Sequence, residues 1–180
     1  MIDITQLDSK MDFIRETPQG EGVLVMIVRR PGIGAREVVE TAELDVRDGL
    51  LGDVWKLRGS WRKRNGKPDP EMQITMINAR VLGLLAQHKD RWTLAGDQLV
   101  VDLDLSIDNL PAGTKLALGS AIIEVTAQPH TGCRKFGAHF GPDAVKWVNS
   151  SIGRQLRLRG LNAKVVRSGS IAVSDIVRKL

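Results

Sequence analysis

Apolar residues recur along this chain with two different periods. At the N-terminus Ile4, Leu7, Met11 and Ile14 fall three or four apart, the spacing that lines one face of an α-helix, so residues 4–16 are expected to be helical. Next, "GVLVMIVRRP" (22–31) is a continuous apolar run stopped by Arg-Arg-Pro, the pattern of a buried strand. "REVVETAELDV" (36–46) alternates and is expected to partner it. "QITMIN" (73–78) is a short strand whose last residue, Asn78, is placed to cap a helix over "ARVLGLLAQH" (79–88). "DQLVVDLDLS" (97–106) alternates strictly, the mark of a half-buried strand, and "GTKLALGSAIIEVTAQ" (113–128) predicts a hairpin turning at Gly119-Ser120. In "GPDAVKWVNSSIG" (141–153), Pro142 near the start and Gly153 near the end bracket a helix. Three short strands are expected after it, over "LRLRG", "AKVVRSG" and "SIAVSDIV".

Residues 48–71 break the pattern. Rich in Gly, Pro and charge, with Trp55 and Trp61 as weak apolar anchors, they read as a long loop of the kind that often carries function. Many short strands with turn signals every 8–12 residues predict a mainly β fold. The expected form is a closed or partly closed β-barrel with two or three peripheral helices. A doubly wound sheet would need strands alternating regularly with helices, and the central and C-terminal strands lack them. Residues 1–21 are expected to form a helical N-terminal appendage and 22–180 the barrel domain.

Composition narrows the setting. A chain of 180 residues fits one domain and buries roughly 70% of its unfolded surface without needing a staple. A single cysteine cannot form an internal disulfide, which predicts a reducing compartment and excludes a multi-cysteine zinc site. The first residues lack the basic and long apolar regions of a signal peptide, and no apolar run approaches the ~18 residues of a membrane span. A cytoplasmic protein with no membrane partner is expected. The net charge of +5 favours anionic partners without choosing among nucleic acid, phosphate ligands and acidic proteins; a small anionic cofactor or substrate is the expected one. The charge is concentrated in "KLRGSWRKRNGK" (56–67) and "GRQLRLRGLNAKVVR" (153–167); the alternative for either run is a solvated face. Nucleic acid is not the expected partner, since the four tryptophans are scattered and no aromatic pair of the RNA-binding type occurs.

Candidate chemistry concentrates in "AQPHTGCRKFGAHFG" (127–141), which holds the only cysteine and two of the three histidines. Pro129 and Gly132 argue that Cys133 lies in a loop after the strand. Arg134 and Lys135 beside it favour thiolate, the nucleophilic and metal-binding form. The alternative is a small buried apolar residue, a common fate of free cysteine. A Cys–His dyad would need a third residue to orient the base, and none announces itself in the sequence. A zinc site on His130, Cys133 and His139 would have three ligands from one loop and no fourth.

These segments together resemble the MOSC domain, named for the C-terminal domain of molybdenum cofactor sulfurase. "PHTGCRKFGAHFGPDAVKWVNSSIGRQLRLRGLNAKVV" is similar to its signature region. Upstream, "DGLLGDVW", "ITMINARVLGLL" and "AGDQLVVDLDLSIDNLPAGTKLALGSAIIEVT" follow in the family's order, so the resemblance covers about residues 22–178. It implies a barrel of the pyruvate-kinase-insert type. It also implies that Cys133 matches the family cysteine, which carries sulfur as a persulfide or ligates molybdenum in a pterin cofactor. Such a cofactor carries phosphate, which Arg and Lys are suited to hold. The cofactor-binding candidates are Arg134, Lys135, His130, Arg154 and Arg157 in or just after the motif. Asp97 joins them as a residue that shapes a turn or lines the pocket, as does Asp53. Arg62, with Lys63 and Arg64, is placed to close over a ligand. The implied activities are reduction of N-hydroxylated compounds or cofactor sulfuration, with a cysteine desulfurase and electron-donor proteins as partners. The alternative is a non-catalytic persulfide carrier or anion-binding module. Two departures stand out. The family's pyridoxal-phosphate association belongs to a desulfurase domain absent from this sequence, as is the extra N-terminal domain of the amidoxime-reducing relatives. Where some relatives have Gly-Glu-Asn, this chain has Gly96-Asp97-Gln98.

Overall fold

The structure is a computed structural model that describes residues 3–57 and 66–180. The N-terminal periodicity is realised as two helices, α1 (Ile4–Asp8) and α2 (Met11–Arg15). A reciprocal cap starts the first: the Gln6 amide donates to Asp3 at 2.9 Å, and the Asp3 amide donates to the Gln6 side chain at 3.2 Å. A turn at Ser9-Lys10 separates the two. Leu7, Met11 and Ile14 are buried, as their spacing predicts.

The strands are β1 (Glu21–Arg29), β2 (Glu37–Val39), β3 (Thr41–Asp45), β4 (Gly49–Leu50), β5 (Ile74–Asn78) and β6 (Leu99–Asp102). They continue as β7 (Lys115–Leu118), β8 (Ala121–Val125), β9 (Leu161–Arg167), β10 (Gly169–Ala172) and β11 (Ile176–Lys179). Seven of them run β11-β7-β8-β9-β5-β6-β1 and close through a β1–β11 pairing. The barrel expected from the sequence is therefore present, and it is closed. Closure leaves no exposed sheet edge on this ring. Nine-residue β1 is long enough to do two jobs on one edge: Glu21–Val23 pair with β11, and Ile27–Arg29 pair with β2. β5 and β6 are parallel, and the crossover between them contains α3 (Ala79–Ala86) and a 3-10 segment over Lys89–Ala95. Asn78 caps α3 through the amides of Arg80 and Val81. A second sheet has the order β10-β3-β4.

Two apolar clusters explain the mixed periodicity. Leu24, Ile27, Leu99 and Val101 point into the barrel with Met76 and Leu118. Met26, Val28, Ile77 and Val100 point outward, where helices cover them. A register shift between Leu24 and Met26 changes the phase of β1, so its apolar run serves both faces. The same covering overrides the half-buried expectation for 97–106: Leu99, Val100 and Val101 are all buried. The covering layer adds α4 (Arg134–Phe140), α5 (Pro142–Asn149) and α6 (Ser151–Gln155). Trp147 of α5 is fully enclosed and donates its indole N–H to Asp8 at 3.0 Å, which ties α1 to this layer. Burying each such large side chain contributes roughly 1.5–3 kcal/mol.

Helix is more abundant than the two or three peripheral segments expected. Six short α-helices occur among the described residues. The bracketed helix 141–153 is two, because Ser150 ends α5 and caps α6 through the Gly153 amide. "LRLRG" is a turn rather than a strand, with Arg157 and Gly160 at positive φ. "SIAVSDIV" is split into β10 and β11 by a turn with Ser174 at φ 76. Residues 36–46 likewise divide, β2 joining the barrel strand β1 and β3 the small sheet. Among the described residues no helix is long and apolar enough to cross a membrane.

Candidate functional site

The segment between β8 and α4 leaves the barrel and is tied down at each step. The Thr126 amide donates to the Asn162 carbonyl at 2.9 Å, and its hydroxyl donates to the Glu71 carbonyl at 2.6 Å. Asn162 donates to the Gln128 carbonyl at 3.1 Å. His130 is held by Asp97, and Gly132 is held by Asn149 on both peptide edges. Space is tight there, since a Cβ on Gly132 would lie 2.8 Å from Val148 Cγ2.

Cys133 follows at the N-cap position of α4, exposed and free. Its side chain makes no capping bond, while its carbonyl accepts the Gly137 amide at 3.0 Å. The sequence argument missed this helix: α4 starts at residue 134, eight residues before the Pro142 start signal. Arg134 and Lys135 form its exposed first turn. Cations there work against the helix dipole, so propensity does not explain their placement beside the thiol.

Asp97 lies at the centre of the buried part of the site. Gly96, at φ 83, ends the 3-10 segment, and Asp97 enters the interior with only 1% of its side chain exposed. One carboxylate oxygen is 2.9 Å from His130 Nε2, and the other accepts from Arg159 at 2.6 Å. Arg159 also donates to the Ala95 carbonyl at 2.9 Å and stacks on the Phe136 ring of α4, 4.7 Å from its centroid. Its Nε is buried without a hydrogen-bond partner. Burial opposes ionisation of Asp97, but Arg159 and then His130 outweigh it and hold the carboxyl below its usual range. For His130, burial and the Arg159 charge prevail over the pull of Asp97, so the imidazole is held below its usual pKa.

A second buried pair stands beside the first. Arg30, just past β1, donates bidentately to Asp53 at 2.7 and 2.8 Å and to the Gly96 carbonyl at 3.0 Å. Its charge is also felt by His130. Asp53 further accepts the Arg30 and Trp55 amides at 3.0 and 2.9 Å.

The candidates named from the sequence thus separate. Cys133, Arg134, Lys135 and His130 share one short segment, and Asp97 joins them through His130. Asp97 and Asp53, expected to shape a turn or line the pocket, are interior ion-pair partners. Arg157 points elsewhere: its guanidinium donates to the Leu110 and Leu105 carbonyls at 2.6 and 3.3 Å, and burial lowers its pKa. Arg154 is exposed in the last turn of α6. Arg62, Lys63 and Arg64 lie outside the described residues. The arginine that does meet Asp97, Arg159, is two residues from Arg157 in the same basic run, and no local signal distinguishes them. Asn149 and Arg30 likewise carried no signal.

Among the described residues no group of three or more His, Cys, Asp or Glu side chains is arranged to hold a metal ion. The chemistry on offer is that of one accessible thiol, flanking cations, and a histidine backed by a carboxylate.

No family model matches the chain, and no curated protein does. Solved structures do. The YuaD protein from Bacillus subtilis superposes with a TM-score of 0.60 at 13% identity, over 89% of this chain and 96% of that one. YiiM from Escherichia coli gives 0.57 at 17% identity, over 88% and 69%. YiiM from Geobacillus stearothermophilus gives 0.54 at 14%, over 90% and 74%. At these identities the likeness establishes the fold.

Proposed function

We propose that this chain is a MOSC-type domain that handles sulfur or a molybdenum-pterin cofactor through Cys133. One observation carries the reading: the only thiol is exposed at the end of a tethered segment, where a core role for it is excluded. The fold agrees, since YuaD and YiiM are MOSC-domain proteins, and so do the residues quoted for the resemblance.

The residues fit the implied cofactor in kind. A pterin-borne metal brings most of its own donors, so one soft protein thiolate suffices. Cys133 would ligate the metal, and Arg134 and Lys135 are exposed beside it to meet phosphate. When bound, the cofactor supplies two-electron redox chemistry. The chain supplies the thiol, the charge and the hydrogen-bonded segment behind them. Reduction of N-hydroxylated compounds and sulfuration of a cofactor are the two activities this site serves in our reading; a persulfide carrier is the non-catalytic version.

Molybdenum and sulfane-sulfur content, measured on protein purified from a molybdate-fed host, tests the reading. Stoichiometric loading of either, lost in Cys133→Ser, is the expected result. Loading of neither element refutes it. Molybdenum with turnover on an artificial electron donor selects the reductase, and sulfane sulfur alone selects the carrier.

A further inference from the structure

Where the N-terminal helices meet the barrel, a cavity of about 340 Å³ opens between α2, the loop that follows β6, and α6. Its volume falls in the range of small-molecule sites. Its floor is apolar, made by Ile14, Val81, Ile152 and Leu156. The facing wall is the loop 104–108, which contributes two carboxylates: Asp104 is half-buried and Asp108 is exposed. That loop is fixed from several elements. The Asp104 amide donates to the Pro18 carbonyl at 2.8 Å, and the Ile107 amide donates to the Gln155 carbonyl at 2.9 Å. Arg157, at φ 48, spends its guanidinium on the Leu105 and Leu110 carbonyls. A wall already ordered loses little freedom when a ligand arrives.

The two carboxylates are met by neutral donors. Asp104 accepts from the Ser106 amide at 2.9 Å, the Ser106 hydroxyl at 3.1 Å and Gln19 Nε2 at 3.3 Å. Asp108 accepts from Gln155 Nε2 at 3.3 Å. Elsewhere in this basic chain Asp53 has Arg30, Asp97 has Arg159, Asp102 has Arg80 and Glu124 has Lys164. The one cation that lines the cavity, Arg15, is paired with Asp12 at 3.1 Å. Among the described residues, then, no cation of the chain is spent on Asp104 or Asp108. The apolar floor offers a metal ion no further ligands, whereas an organic cation can lay its hydrocarbon part there.

We propose that this cavity binds a small primary amine. Its ammonium, with three N–H donors, serves Asp104 and Asp108, and its hydrocarbon part lies on Ile14, Val81, Ile152 and Leu156. The site is independent of the chemistry assigned to Cys133.

The probes are n-butylamine and phenethylamine, with 2-phenylethanol as the uncharged comparator, titrated into ¹⁵N-labelled full-length protein at about 0.15 M salt. Saturable amide shifts are expected at Gln19, Ile107 and Gln155, with a Kd on the order of 0.1–1 mM for the tighter amine, as much as so few atoms support. The alcohol should bind about tenfold more weakly or less, since it lacks the charge. Asp108→Asn, at an exposed position, should weaken the amine about tenfold and leave the alcohol unchanged. Asp104→Asn should act in the same way; should its loop contacts fail, Asp108→Asn decides. Cys133→Ser should bind the amine as wild type does. Equal affinity for phenethylamine and its alcohol, or wild-type amine affinity in Asp108→Asn, overturns the ionic recognition. No shift at these three residues with either amine at about 10 mM overturns the site itself.

Discussion

Asn149, the last residue of α5, and Gly132, next to the cysteine, bind each other on both peptide edges. The Gly132 amide donates to Asn149 Oδ1, and Asn149 Nδ2 donates to the Gly132 carbonyl, both at 2.9 Å. This pair fixes the chain immediately before Cys133 to the helical layer. Asn149→Ala leaves both peptide groups without these partners. It should cost about 1–2 kcal/mol, read by urea unfolding, and should abolish hydrogen-exchange protection of the Gly132 amide. A protected amide in the variant would show that the clamp does not hold the segment.

The Arg30–Asp53 pair is predicted to be worth most when broken from one side. The Asp53 side chain is wholly buried and that of Arg30 is 10% exposed. Arg30→Leu strands a carboxylate in the interior, a change that costs about 3–5 kcal/mol. The double variant Arg30→Leu/Asp53→Leu should recover part of that loss, since the stranded charge is gone. Denaturant midpoints of the three proteins test both statements.

Acid should weaken the fold in two windows. The folded-state pKa of His130 is lowered, so below about 6.5 the unfolded chain binds the proton more readily. Stability is therefore complete above that value and falls as pH drops through it. Asp97 is lowered as well, so its contribution is present above the ordinary carboxylate value near 3.9 and is lost as pH falls through the folded value. Both slopes have the same sign. Melting temperature against pH should decline below 6.5, and His130→Gln should remove the first decline while leaving the second.

Gly160 connects Arg159 to β9 at φ 98, and a Cβ there would stand 2.1 Å from the Met76 carbonyl oxygen. Gly113 has a similar φ of 90 with nothing within 4 Å of its Cβ. Gly113→Ala meets only the backbone cost, about 1 kcal/mol. Gly160→Ala adds a collision with β5 and should lose clearly more. Equal melting temperatures for the two variants would contradict this.

Cys133→Ser should leave the unfolding free energy within about 0.5 kcal/mol of wild type, as expected for an exposed position. It should remove all alkylation by iodoacetamide in the native state. A thiol in the wild-type protein that reacts only after unfolding would contradict the exposed placement.

The barrel was legible in the sequence, though not its closure, because short apolar runs with regular turn residues express local physics: alternation in "DQLVVDLDLS", a cap at Asn78, a tight turn at Gly119-Ser120. Cys133 was legible for the same reason, since Pro129, Gly132, Arg134 and Lys135 mark a polar loop around it. What surrounds it was not. Asp97, His130 and Arg159 are spread over 62 positions along the chain, and nothing local selects Arg159 over Arg157. The choice falls to the turn at Arg157–Gly160, which aims one guanidinium at the Leu105 and Leu110 carbonyls and the other at Asp97. Periodicity also misjudged β6, because it cannot say that helices will cover the outer face of a strand. Local sequence thus determined most of the strands, the capped helix after Asn78 and the exposed thiol. Only long-range packing decided which charges are buried together, and so which histidine Asp97 holds.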